Sequence, residues 1–408
     1  MTLLCKRLLI CLAALVLVFP TCLSCGNDSS GGKVEIVVGQ ITDLSGAGAP
    51  ALEPMNLCLQ DMVQYFNEEE LIEGVKLTLA TYDTQYDAAR EVPGYEWVKA
   101  KGAQFIITFL PQTGPTLKPF ADADKMAVAA CSGSMAMLEP PGWVFWFNCP
   151  TEYEVKTLLQ WLVDNDWDRE AKGRSPRIGL VGWQEPFELD MKSAIEEYIA
   201  AYPDEYEYGG TYLAPVGTYH WSGEVEKLKG CDYITGSLGT CRNFVKEYYD
   251  KGYKATYIGP SLLGAFVGHL VDMFGWEPPL DGWYSNSICR WWNQESPIVD
   301  LAHTLLERYR PKQAEEMMHQ GSSYLGGTQN FYTILQVVQQ AVQSVGAENF
   351  SASAFYDAAI NYTMHLEGYP EWSFGEGKLY LTDDVEVYKW EDSAEDLIRV
   401  SDWLPILK

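Results

Sequence analysis

Short runs rich in β-branched residues alternate with segments of helical periodicity through most of this chain, and this alternation restricts the available folds. The first run is Val34–Thr42, and apolar residues between Met55 and Phe66 then recur at the spacing of one helical face. Further strands are predicted over 75–83, 104–109 and 126–131, with helices over 87–101 and 115–123 between them. Repeated strand–helix units predict a mainly parallel sheet with helices on both faces.

A second series of the same kind begins after Pro150. Helices are predicted over 152–164, 189–201, 242–251, 298–309 and 329–345. Strands are predicted at "RIGLVGW" (177–183), "YGGTYLA", "CDYITG" and "KATYIG", with further β-structure near 377–390. Two series predict an α/β fold of two doubly wound, Rossmann-like lobes. Ligands of such sheets bind outside the carboxyl ends of the strands, so two facing lobes are expected to share a central cleft.

The first residues have the pattern of an export signal. Lys6 and Arg7 precede an apolar run, Leu8–Phe19, which is too short for a membrane span of about 20 residues. We predict a signal peptide over 1–24, lipidation of Cys25 at "TCLSCG", and a polar tether over 25–33. The alternative is ordinary secretion with full release from the membrane.

Charge excludes two classes of partner. The 408 residues contain 29 Lys and Arg against 56 Asp and Glu, a formal net charge of −27. Nucleic-acid binding and docking on an anionic lipid surface both need clustered cations, so neither is expected. Apart from the predicted lipid anchor, no membrane contact is expected.

Cysteine and histidine spacings give no metal motif. Outside the first 25 residues, six cysteines remain: Cys58, Cys131, Cys149, Cys231, Cys241 and Cys289. An even set permits disulfides in an exported protein, and Cys231 and Cys241 are the pair closest in sequence. No CxxC motif occurs and the five histidines lack short ligand spacing, so no metal or other cofactor is predicted.

Catalytic motifs are also missing from the sequence. No G-x-S-x-G elbow or G-x-x-x-x-G-K-[ST] loop is present, and the G-x-G of "SGAGAPA" lacks the third glycine of a dinucleotide fingerprint. The chain is therefore predicted not to be an enzyme. A secreted enzyme with two catalytic carboxylates stays open as an alternative.

The ordered segments "VGQITDLSGAGA", "EGVKLTLATYDTQYD", "FLPQTGPTLKPFAD", "MAVAACSGS" and "KATYIGPSLLG" resemble type I periplasmic binding proteins. Within that family, the resemblance is to the branched-chain amino acid (Leu/Ile/Val) binding proteins of ABC importers. It implies three crossover segments between the lobes and ligand capture by hinge closure. The implied first lobe is 34–150 plus about 285–385, and the second is 151–284 plus about 386–408.

The resemblance also implies which residues touch the ligand. In amino acid binders of the family, hydroxyls and amides of first-lobe turns hold the ligand carboxylate, and second-lobe turns complete the site. The matching positions here are Gln112, Thr113, Ser132 and Ser134 in the first lobe and Trp183, Phe187, Ser237 and Ser261 in the second.

Ser261 stands where amino acid binders of the family place the acid that pairs with the ligand ammonium. A buried unpaired ammonium is costly, so an α-amino acid ligand requires that another acid supply the charge. The aromatic residues Trp183, Phe187, Trp221, Trp291 and Trp292 would suit a planar or apolar ligand. Amino-acid-like compounds, amides and aromatic carboxylates all remain open.

The resemblance implies a solute-binding lipoprotein outside the cytoplasmic membrane. Its expected partners are a small-molecule ligand and the membrane permease of an ABC importer with a separate ATPase, since the chain has no nucleotide-binding loop. A sensory receptor of the same fold is the main alternative.

Overall fold

The structure is a computed structural model that describes residues 32–239 and 241–408. The predicted signal peptide, the lipidated Cys25 and most of the predicted tether lie outside the described residues.

The first sheet is entirely parallel, with the strand order β2-β1-β3-β4-β5. Its strands are β1 (Val34–Thr42), β2 (Val75–Asp83), β3 (Phe105–Thr108), β4 (Val128–Ala130) and β5 (Val144–Trp146). β3, β4 and β5 are fully buried along their length, as expected for parallel strands covered by helices on both faces. The predicted bounds of β1 and β2 are confirmed.

The second sheet is mixed. Its order is β14-β13-β10-β9-β8-β6-β7, with β15 beside β13; β6 to β10 pair in parallel, while β13 pairs antiparallel with β10, β14 and β15. β11 and β12 form a separate hairpin. The strands are β6 (Arg177–Trp183), β7 (Glu207–Ala214), β8 (Tyr233–Gly236), β9 (Thr256–Gly259), β10 (Tyr284–Ser287), β11 (Thr363–Met364), β12 (Trp372–Ser373), β13 (Asp384–Glu391), β14 (Asp396–Arg399) and β15 (Leu404–Pro405).

Helices cover the sheets. They are α1 (Ala49–Glu68), α2 (Glu91–Ala100), α3 (Thr113–Asp124), α4 (Thr151–Asn165), α5 (Arg169–Lys172), α6 (Pro186–Ala201), α7 (Ser222–Leu228), α8 (Arg242–Asp250), α9 (Val267–Phe274), α10 (Pro297–Tyr309), α11 (Ala314–Gln320), α12 (Ser323–Val345) and α13 (Ala352–Ile360). In the first lobe α1 packs on α12, and in the second α4 packs on α6. The buried face of α1 contains Leu59, Met62 and Phe66, as its spacing predicts.

The chain passes between the two sheets at three places. The first lies between β5 and α4, and the second follows β10. The third lies just before β13, where Leu379 and Leu381 bond to the backbone of Trp146 beside the first sheet. β10 belongs to the second sheet, so the chain leaves that sheet after Ser287.

The cysteines are buried. Cys58, Cys131, Cys149, Cys231 and Cys289 are free thiols, and the Cys231–Cys241 bridge that the sequence permits is therefore not formed. Among the described residues, no helix combines the length and apolar character that a membrane span requires.

Candidate ligand cleft

Two adjoining cavities lie between the lobes, with volumes of about 130 Å³ and 100 Å³. Both are lined by Leu52, Phe109, Ser132, Phe187, Leu262 and Phe266. Because the two cavities share these residues, they form one continuous cleft. The residues come from both lobes, so the cleft lies between the lobes, and we call it the ligand cleft.

The carboxyl ends of the strands supply most of its walls. In the first lobe Phe109 follows β3 and Ser132 follows β4. In the second lobe Phe187 lies in the first turn of the helix after β6, and Ser261 lies in the turn after β9. The cleft therefore occupies the position expected for α/β sheets that bind ligands.

The structure brings five of the eight predicted ligand residues to this cleft: Ser132, Trp183, Phe187, Ser237 and Ser261. The other three, Gln112, Thr113 and Ser134, lie outside the lining of both cavities. Ligand contact by all eight residues stays a prediction.

Thr113 is bonded to a buried acid of its own lobe. Its hydroxyl donates to the Glu91 carboxylate at 2.7 Å, and neither residue is exposed. Burial raises the pKa of Glu91 to about 7, and hydrogen bonds from Thr113 and Gln112 reduce that rise. The turn hydroxyl predicted to hold a ligand carboxylate thus holds a carboxylate of the protein.

The hydrogen-bond donors of Ser261 are likewise bound to a protein carboxylate, that of Glu154. Glu154 lines the cleft and was not predicted from the sequence. The backbone N–H of Ser261 donates to one Glu154 oxygen at 2.5 Å, and its hydroxyl donates to the other at 3.0 Å. Burial raises the pKa of Glu154 to about 7. An acid in the first turn of α4, directly after an interlobe crossing, was the only signal that could have indicated this residue.

Glu188 is the corresponding acid in the adjoining cavity. It is fully buried on α6, and its carboxylate accepts a hydrogen bond from the Ser237 hydroxyl. Burial, together with the charge of the neighbouring Glu185, raises the pKa of Glu188 to about 8. Its second carboxylate oxygen has no hydrogen-bond partner among the described residues.

The Gly-rich turn after β1 also holds an internal carboxylate. Asp43 is buried, and its carboxylate accepts the backbone N–H groups of Ser45, Gly46 and Gly48 at 2.5 to 3.1 Å. Such N–H groups, at the start of a helix, suit an anion. The anion that they bind in this structure is Asp43.

The lobes contact each other around the cleft. The backbone N–H of Met135 donates to Asp190 on α6 at 2.8 Å, and the Tyr86 side chain interacts with the carboxyl group of Glu185. Tyr86 holds a left-handed backbone conformation with φ of 55°, which is unfavourable for a residue with a Cβ. Because both acids are largely buried, the pKa of each carboxyl is raised, that of Asp190 to about 7.

The aromatic lining differs in part from the predicted one. Trp221 is buried in the second lobe, Trp291 donates to Asp396, and Trp292 donates to the Gly321 carbonyl, so none of these three lines the cleft. Instead Phe109, Trp146 and Phe266 join Phe187 in the wall. The distant sequence positions of these rings gave no sign that they converge.

No lysine, arginine or histidine lies among the described residues that line the two cavities. Within the described part of the chain, no group of three His, Cys, Asp or Glu side chains is placed to hold a metal ion. The cleft therefore offers carboxylates, hydroxyls, indole N–H groups and apolar surface.

Two α/β lobes that share a cleft at the carboxyl ends of their strands are typical of two-lobed solute-binding proteins. A family model described as "Periplasmic binding protein" matches residues 35–391. The chain belongs to the periplasmic binding protein family, and its fold is the type I form. A comparison with curated proteins found no match.

Solved structures share the fold at low sequence identity. A branched-chain amino acid ABC transporter protein from Thermus thermophilus with bound valine has a TM-score of 0.79 and 14% identity, over 92% of this chain and 97% of that one. A fatty acid ABC transporter substrate-binding protein from Thermomonospora curvata has a TM-score of 0.77 and 14% identity, over 91% and 92%. A solute-binding protein from Rhodopseudomonas palustris BisB5 in complex with 3,4-dihydroxybenzoic acid has a TM-score of 0.74 and 12% identity, over 92% and 98%.

Proposed function

We propose that this protein is the extracytoplasmic receptor of an ABC importer, which captures a small organic solute between its lobes and delivers it to a membrane permease. The observation that carries the proposal is the cleft itself, built from strand ends of both lobes in a chain of this family. The transport energy would come from a separate ATPase.

Capture requires no bond chemistry. The ligand docks on the first lobe near Ser132 and Phe109, and closure adds Phe187 and Ser261 from the second lobe while excluding water. The closed form is favoured only to the extent that the ligand binds it more tightly than the open form. The permease would then recognise the closed arrangement.

Lipidation of Cys25 is part of the same proposal, because a receptor must stay near its permease. Expression of the full chain in a bacterial host with radiolabelled palmitate tests it. Label in the membrane fraction is expected for the natural chain and is expected to disappear in Cys25→Ala. Equal labelling of both chains would contradict the anchor.

Ligand binding is tested by thermal shift with amino acids, amides, amines and aromatic acids. A ligand at 100 times its Kd adds about 2.7 kcal/mol to the free energy of unfolding. Phe187→Ala should lower the affinity for the ligand with the largest thermal shift at least tenfold. Leu189→Ala, at an exposed position on the same helix, is the matched control. Conversion of the bound compound to a product would contradict a receptor and favour an enzyme.

A further inference from the structure

We infer that the ligand cleft selects an organic cation, a protonated or quaternary ammonium group carried on an apolar body. The inference rests on the proposed function and narrows its ligand class. If the inference is right, the protein is not a receptor for free carboxylates.

The charge of the lining is the first observation. Glu154, Glu185 and Glu188 line the two cavities, and no lysine, arginine or histidine accompanies them among the described lining residues. An anionic ligand would enter a cleft of low dielectric constant beside three acids and without a countercharge. A cation would gain a partner at each of them.

The turn donors are the second observation. Hydroxyls and N–H groups in the turns after strands suit a ligand carboxylate, but in two of the turns that line the cleft protein carboxylates accept them. Ser261 donates twice to Glu154, and the Ser237 hydroxyl donates to Glu188. A ligand carboxylate bound at either of these two turns would have to displace the internal bonds and leave a buried acid without them, which is unfavourable.

Buried acceptors without partners are the third observation. The second carboxylate oxygen of Glu188 and the side-chain oxygen of Asn330 have no hydrogen-bond partner among the described residues. Both residues line the cleft, and they are 0% and 4% exposed. The N–H groups of a protonated ammonium would satisfy such acceptors, whereas a quaternary ammonium, which has none, would interact with the carboxylates through charge alone. The unpartnered donors of the lining, the indole N–H groups of Trp146 and Trp183, are neutral.

Aromatic faces complete the site. Phe109, Trp146, Phe187 and Phe266 line the larger cavity together with Glu154. Aromatic rings attract cations through the negative potential of their faces, and the attraction grows when the cation is desolvated. Rings and a carboxylate without a basic residue suit an ammonium ion on an apolar body.

Binding of a cation should be linked to proton release. Burial raises the pKa of Glu154 to about 7 and that of Glu188 to about 8, and a neighbouring cation would lower both again. The titratable groups that interact with Glu154 are the Cys149 and Cys289 thiols, whose own pKa values burial raises. The charge of Glu185 raises the pKa of Glu188, and the charge of Glu188 raises the pKa of Tyr86. Cation affinity should therefore rise between pH 6 and pH 8.

Calorimetry with matched probes tests the inference. The probes are 2-phenylethylamine, 3-phenylpropanoate and 3-phenylpropanamide, the smaller pair isobutylamine and 3-methylbutanoate, and tetramethylammonium. We expect at least one ammonium probe to bind at least tenfold more tightly than its carboxylate or amide counterpart, and more tightly at pH 8 than at pH 6.

Substitution of the two buried acids tests which of them contacts the bound cation. Glu154→Gln and Glu188→Gln keep the side-chain shape, and at least one of them should lower ammonium affinity tenfold or more and reduce its pH dependence. Glu152→Gln, on the same helix but outside the cleft lining, is the control and should bind as the natural protein does. If a variant fails to fold, the matched probes and the pH dependence still decide.

The outcomes distinguish the two proposals. Binding of a carboxylate or amide with no ammonium probe bound would overturn the cation inference and leave the receptor intact. Failure of every ammonium probe also overturns the inference. Failure of the whole thermal-shift panel as well would contradict the receptor function itself.

Discussion

The Thr113 hydroxyl and the Glu91 carboxylate lie 2.7 Å apart with neither residue exposed to solvent. A threonine at the start of a helix suits a helix cap, a ligand contact or a bond to a distant side chain equally well. The sequence could not show which of these occurs, because Glu91 is brought to Thr113 only by the packing of α2 on α3. The same holds for Ser261 and Glu154.

Thr113→Ala is expected to lower the free energy of unfolding by about 1–3 kcal/mol, because it removes a hydrogen bond from a buried acid. Urea unfolding measures this, with Thr304→Ala on the exposed side of α10 as the control. An unchanged free energy would contradict the structural role. The ligand affinity of the same variant tests the separate prediction that Thr113 touches the ligand.

Glu386→Gln is expected to destabilise the protein by an amount on the order of 3 kcal/mol. Glu386 is fully buried on β13, accepts a hydrogen bond from Arg399 at 2.9 Å, and lies 3.4 Å from Arg290. The variant leaves two arginines without their shared carboxylate. Glu391→Gln, half-buried on the same strand, should change stability by less than 1 kcal/mol in urea unfolding, and equal losses in both would contradict the prediction.

Among the elements, the long strands were predictable, whereas several short strands, among them the apolar β5 and the polar β10, were missed. β1, β2 and β6 have the predicted bounds. β10 was missed because its sequence, YSNS, lacks an apolar run, although it lies inside the second sheet between β9 and β13. Its position follows from pairing with two neighbours, which a local pattern does not contain.

The contact between α6 and the turn after β4 should hold the lobes together. Asp190→Ala removes the acceptor for the Met135 N–H, so the ligand-free protein should populate more open forms and show a larger radius of gyration in X-ray scattering. Ligand affinity should fall several-fold for the same reason. Glu196→Ala, an exposed position on α6, is the control, and identical scattering from both variants would refute the prediction.

For the whole molecule, buried acids should make stability decrease as pH rises. Burial raises the pKa of Glu91, Glu154 and Asp190 to about 7 and that of Glu188 to about 8. Between about pH 4.5 and these values the folded state binds more protons than the unfolded state, so the free energy of unfolding falls as pH increases.

Urea unfolding at pH 5.5 and pH 8 should show this loss in the ligand-free protein, on the order of 1 kcal/mol or more for each acid. Glu188→Gln should flatten the dependence because it removes one titrating group. A stability that rises from pH 5.5 to pH 8 would contradict the prediction.

The sequence by itself determined the two α/β series, the position of the cleft at the strand ends and the family, because hydrophobic periodicity and turn composition are local properties. Only the tertiary structure decided what the turns hold. Glu154 and Ser261 are separated by 107 positions along the chain, and their bond exists because two elements of the second lobe meet there. The charge of the cleft is a sum over such distant neighbours, so it emerges only when the chain is folded.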